Sequence, residues 1–148
     1  MKIYEKTSLI QCNIDELFTF HLDLNNLKKI TPKNTKVTLM DEVFTPKEGD
    51  VLRLHTVKNF IPMIWEVKIA QVVSPILLVD VALKSPFKFW KHSHMFTDLG
   101  DGFCELKDRV ECKLPFGIIG SFFNFLVEYE LEGTFSYRHN ITKETLEV

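Results

Sequence analysis

Apolar and polar residues alternate with a period of two through the middle of the chain, and the pattern changes on either side. Residues 63–73 set Met63, Trp65, Val67, Ile69 and Val73 on one face against Glu66, Lys68 and Ala70, which predicts a strand with one buried face. Val37, Leu39 and Val43 mark an earlier strand, followed by a turn at Pro46 and Glu48-Gly49-Asp50, then a strand over 51–60 punctuated by Pro62. After Ser74-Pro75, ILLVDVAL is a near-continuous apolar run of strand length. FKFWKHSHMFTDL then follows Ser85-Pro86 and turns through Gly100-Asp101-Gly102 into FCELKDRVECKL, the clearest hairpin in the sequence. Before this region, residues 2–11 read as a first strand. Asn13 and Glu16 form a capping-box pattern ahead of Ile14, Leu17, Phe18, His21 and Leu22, predicting a helix over 14–21. Leu24, Leu27 and Ile30, stopped by Pro32, predict a second short helix.

From Leu114 onward the period is helical. No proline follows Pro115, and a helix from about 118 to 144 spans roughly 40 Å. At 100° per residue it gathers Ile119, Phe122, Phe123, Leu126, Gly133, Tyr137 and Ile141 on one side, with Val127, Leu131 and Phe135 on an adjoining stripe. A helix so long and apolar needs a broad surface to lie against. The expected architecture is α+β: about seven antiparallel strands in a curved sheet, two short helices after the first strand, and a long C-terminal helix closing the sheet.

Composition narrows the function. A chain of 148 residues is one domain by size, and thirteen phenylalanines predict a wide aromatic interior or an aromatic or greasy occupant. A net charge of −2 without a basic cluster argues against nucleic acid. No apolar run approaches the roughly 20 residues of a membrane span. The first residues lack the apolar core of a signal peptide, so a cytoplasmic location is expected. Cys12, Cys104 and Cys112 are odd in number and show no close pair, which predicts reduced, buried thiols.

Three stretches carry a resemblance: FHLDLNNLKKITP (Phe20 to Pro32), WKHSHMFTDLGDG with LKDRVECKLPFGIIG (Trp90 to Gly120), and Phe135, Tyr137 and Arg138 near the C-terminus. In them the chain resembles the START-like superfamily, also called SRPBCC, of polyketide cyclase/dehydrase and lipid-transport domains. The resemblance implies a helix-grip fold over a single domain, 1–148, with an apolar pocket between sheet and C-terminal helix. The superfamily holds binders, carriers and a few enzymes, so the resemblance leaves the activity open.

The hairpin carries the candidate chemistry. Alternation puts Trp90, His92, His94, Phe96 and Asp98 on one face of its first strand, and Cys104, Leu106, Asp108, Val110, Cys112 and Leu114 on one face of its second. With a three-residue loop of Gly100, Asp101 and Gly102, Phe96 pairs with Leu106, His94 with Asp108, His92 with Val110, and Trp90 with Cys112. Directly opposed side chains lie about 5 Å apart at Cβ. His94 and Asp108 are therefore a candidate catalytic pair for proton transfer, against the plainer reading of a self-satisfying buried pair that fixes register. His92 and His94 form an H-x-H that can begin a metal site, but a stable site needs a third ligand, for which the sequence offers only guesses such as Asp108 or Asp98, so neither metal nor cofactor is expected.

The candidate ligand-binding set is Trp65, Trp90, His92, Phe96, Leu106, Phe122, Leu126, Glu130, Gly133 and Tyr137. Glu130 reads equally as a solvent-tilted helix-edge residue, and Gly133 as a bend. The leading functional expectation is binding or carriage of a small hydrophobic or lipid-like molecule between sheet and helix. A cyclase or dehydratase-type enzyme using His94 and Asp108 is the alternative. A further one is an interaction or regulatory domain with a vestigial cavity, which exposed Phe116, Ile118 and Phe122 would favour.

Overall fold

The alternating segments form seven strands: β1 (Lys2–Gln11), β2 (Thr35–Leu39), β3 (Val51–Lys58), β4 (Ile61–Val73), β5 (Leu77–Lys84), β6 (Phe89–Gly100) and β7 (Phe103–Lys113). They make one antiparallel sheet in the order β1-β7-β6-β5-β4-β3-β2. The helices are α1 (Ile14–Leu22), α2 (Gly117–Ser121) and α3 (Asn124–Leu146). The computed structural model describes residues 1–147, without the side chains of Ile119 and Ser121. Ile119, placed on the inward helix face by periodicity, thus lies outside the described side chains.

Local chemistry accounts for the element ends. Asn13 caps α1 by accepting the Asp15 N–H at 2.7 Å. The second short helix is a single 3-10 turn, Leu24–Asn26, opened by Asp23, whose carboxylate accepts the Asn25 N–H at 2.9 Å. The β6–β7 pairing follows the expected register from Trp90 with Cys112 through His94 with Asp108 to Phe96 with Leu106. Its turn differs: a register shift between Asp98 and Gly100 precedes a two-residue turn, Asp101 and Gly102, both at positive φ (55° and 81°). In β4 a second irregularity, between Ile69 and Gln71, reverses the alternation. Val73 consequently faces solvent, whereas Val72 packs inward.

The predicted single C-terminal helix is two helices. The chain breaks at Phe122 and Phe123, where Phe123 adopts φ −95°, ψ 7°. The buried residues of α3 are Leu131, Phe135, His139 and Thr142, at spacings of four, four and three. This is the adjoining stripe of the sequence reading, continued by two polar residues.

Two clusters fill the concave side of the sheet. Ile10, Phe96, Cys104 and Leu106 pack under Leu17 and Phe18 of α1. Tyr4, Val110 and Cys112 pack under Leu131 and Phe135 of α3. Full burial of each large apolar side chain contributes about 1.5–3 kcal/mol, which holds both helices on the sheet.

Candidate functional site

Between the two clusters the sheet and helix part, leaving a cavity of about 530 Å³. Its walls include Phe20, Leu52, Leu54, Met63, Trp65 and Trp90, with Leu126, Leu131 and Phe135 from α3. Trp65 and Trp90 meet edge to face at 5.3 Å, and Phe87 packs on Trp90 at 4.9 Å. Glu130 lines the cavity where it meets solvent and pairs there with Lys58 of β3.

Five of the ten expected ligand-binding residues line this space: Trp65, Trp90, His92, Leu126 and Glu130. The other five do not. Phe96 and Leu106 point to the concave side, but α1 covers them and they belong to its core. Phe122 sits at the break before α3 and is exposed. Gly133 and Tyr137 fall off the buried stripe of α3, which runs through Leu131, Phe135, His139 and Thr142. Phe116 and Ile118 are exposed with Phe122.

At the inner end of the cavity the sheet carries a polar cluster dictated by register. Asp80 of β5 stands opposite His92 of β6, and His94 of β6 opposite Asp108 of β7. The two imidazoles, 3.9 Å apart at their centroids, are therefore flanked by a carboxylate on each neighbouring strand. Asp80, His92 and His94 line the cavity. Asp108 lies beneath them, 2% exposed.

Asp108 organises three histidines. Its Oδ1 accepts from His92 Nε2 at 2.7 Å, and its Oδ2 accepts from His139 Nε2 at 2.6 Å. His94 Nδ1 approaches Oδ1 to 2.8 Å, at an angle too oblique for an aligned hydrogen bond. The other nitrogen of His139 meets Ser8 Oγ of β1 at 2.7 Å, so one carboxylate ties three strands and α3 together.

Electrostatics separates the histidines. Burial alone would push Asp108 up, but His94, His139 and His92 together hold it well below the usual carboxylate range. His94 is pushed up to about 9, because Asp108 and Asp80 outweigh its desolvation. His92 is lowered, first by burial and then by His94. Its Nε2 donates to Asp108, leaving the Nδ1 lone pair directed at Asp80 Oδ2, 3.8 Å away. His21, its ring tilted against His94 at 5.4 Å, is lowered by burial to about 3 and stays neutral, donating from Nδ1 to the Leu17 carbonyl.

Arg138 completes the site from α3. Its guanidinium lies 5.2 Å over the Phe135 ring and lines the cavity, yet Nε has no hydrogen-bond partner among the described residues. Burial lowers its pKa, opposed by Asp108 and Asp80.

Sequence reasoning found His92, His94 and Asp108 but missed Asp80, His139 and Arg138 as members of one site. The available signals were the lone acid within ILLVDVAL and two basic residues next to Tyr137.

No protein-family model matches the chain, and no curated protein is significantly similar to it in sequence. Solved structures are similar in fold. A START superfamily protein from Mycobacterium smegmatis superposes with a TM-score of 0.72 at 13% identity, covering 98% of this chain and 97% of that one. Norcoclaurine synthase from Thalictrum flavum gives 0.73 at 12% identity, covering 98% and 93%. The di-domain ARO/CYC protein StfQ of the steffimycin biosynthetic pathway gives 0.71 at 11%, covering 98% of this chain and 50% of that one. The chain has the START-like helix-grip fold.

Proposed function

We propose that this helix-grip chain binds a small hydrophobic or lipid-like molecule in the cavity between β3–β6 and α3. The observation that carries the reading is a largely apolar space of about 530 Å³ with Asp80, His92, His94 and Arg138 in its wall. That volume lies within the range of small-molecule sites, about 300–1,000 Å³. Apolar burial supplies affinity, and the polar end supplies orientation.

Arg138 refines the class of ligand. A guanidinium with an unused donor facing an apolar cavity is costly unless an anion meets it. The reading is therefore a hydrophobic molecule with an acidic group directed at Arg138.

Both tryptophans of the chain line the cavity, so occupancy reports on itself. Titration with dodecanoate and with dodecanol should shift tryptophan emission, the acid binding more tightly. Native mass spectrometry should detect the adduct. Unchanged emission and no adduct with either compound would overturn the reading.

One observation supports a second reading. His94 faces the cavity, contacts Asp108 and is pushed up to about 9, so it would act on a bound molecule as a proton donor at neutral pH. A cyclase or dehydratase-type reaction would then be abolished by His94→Gln with ligand binding retained. Turnover surviving that substitution would make the pair structural.

A further inference from the structure

The polar end of the cavity holds an arrangement that ligand binding alone does not explain. Asp80 Oδ2 lies 3.8 Å from His92 Nδ1 and 3.8 Å from His94 Nε2. Both separations are too long for hydrogen bonds. The three donor atoms nevertheless converge, all within 4.8 Å of one another, on the cavity side of the sheet. With His92 donating from Nε2, its Nδ1 lone pair is aimed at a carboxylate oxygen. Two Lewis bases face each other at the cavity wall, an arrangement that a cation between them stabilises.

We propose that Asp80, His92 and His94 form a binding site for one divalent first-row transition-metal ion, open toward the cavity. Two donors bound to the same ion at about 2.1 Å each can stand at most about 4.2 Å apart, and both separations from Asp80 already satisfy this. A modest imidazole rotation closes the remaining gap. Two imidazoles and one carboxylate on adjacent strands leave coordination positions free, the donor set of open, ligand-accepting metal sites.

The surroundings match a metal site in a second way. Ligating histidines usually direct their other nitrogen to a carboxylate, which fixes ring orientation and strengthens the donor. Here the far nitrogens of both rings turn to one carboxylate oxygen, Asp108 Oδ1, at 2.7 and 2.8 Å. Asp108 is itself braced by His139. The carboxylates of Asp80 and Asp108 balance a divalent ion, and Arg138 adds one positive charge beside it. An anion at the open position is then favoured. The inference does not depend on a hydrophobic occupant of the cavity.

Competition with a proton sets the test, because an imidazolium at His94 is the other cation that fits between these groups. Metal-free protein titrated with Co²⁺ at pH 8 should take up a single ion per chain, visible as d–d absorption. Zn²⁺ should displace it and raise the melting temperature. His94→Gln and Asp80→Asn should each weaken Co²⁺ binding by roughly 100-fold or more, and Asp108→Asn by roughly 10-fold to 100-fold. His55→Gln, on β3 and outside the cavity lining, should change nothing. Circular dichroism confirms that each variant is folded before titration. Absence of Co²⁺ and Zn²⁺ binding to the folded wild type would overturn the site, as would binding that survives both His94→Gln and Asp80→Asn.

Discussion

Asp80 and Asp108 stand on opposite sides of the same pair of imidazoles, one on each strand flanking β6. Asp108 is sealed beneath the rings with every contact short, whereas Asp80 faces the cavity across longer gaps. One carboxylate builds the site and the other meets whatever enters it.

Removing the building carboxylate should be costly. Asp108→Asn removes the negative charge shared by His92, His94 and His139 and turns one of its two acceptor oxygens into a donor, and breaking a buried charge network costs about 3–5 kcal/mol. Urea denaturation at pH 7 should show the loss. Asp80→Asn should cost less, because among the described residues the Asp80 carboxylate approaches the imidazoles only to 3.8 Å.

Stability should peak near pH 6.5 and decline on both sides. His94 has a folded pKa raised from 6.5 to about 9, so its contribution is fully present below 6.5 and is lost as pH rises through 9. His21 has a folded pKa depressed from 6.5 to about 3, so its contribution is present above 6.5 and is lost as pH falls toward 3. His92, also lowered, adds to the acid limb. The urea midpoint measured across pH should trace this curve, and His94→Gln should flatten its alkaline side.

Two glycines should respond oppositely to alanine. A Cβ on Gly120 would stand 2.0 Å from the Pro115 carbonyl oxygen, so Gly120→Ala must displace the corner between β7 and α2 and lose about 2 kcal/mol or more. Gly133 lies within α3 with nothing near its Cβ position, so Gly133→Ala should gain about 1 kcal/mol. Thermal melts of the two variants, read together, check both.

The thiols should be silent in the native state. Burial pushes Cys12 up to about 12 and raises Cys104 and Cys112. Iodoacetamide at pH 8 should leave the folded protein unmodified and label all three cysteines once urea unfolds it.

The sheet was legible because period-two alternation and glycine turns constrain strands locally, and the β6–β7 register brought His94 to Asp108 from sequence alone. What failed required knowledge of coverage. Phe96 and Leu106 were placed on the right face, but nothing in their pattern says that α1 lies over them. The α3 stripe was misphased because its buried positions include His139 and Thr142, which a search for apolar residues passes over. Asp80 escaped notice for a related reason: ILLVDVAL has the run of a fully buried strand, and its acid gains meaning only when β5 is laid beside β6.

The anchoring of α3 is uneven along its length. Its C-terminal half is held by His139 to Ser8 and Asp108, by the Lys143 ammonium to the Leu9 carbonyl at 3.2 Å, and by the Glu147 carboxylate just beyond it to the Gln11 N–H at 2.8 Å. Its N-terminal half packs through Leu131 and accepts the Tyr4 hydroxyl on Glu132, and is otherwise tied by Lys58–Glu130, Lys2–Glu128 and Lys6–Glu132, partly or largely exposed pairs that salt weakens. The helix is thus pinned most firmly at its C-terminal end, and its salt-sensitive N-terminal arm carries Leu126 and Glu130 over the cavity. If the cavity takes a guest as proposed, added salt should loosen this arm and speed binding, which stopped-flow tryptophan fluorescence would check.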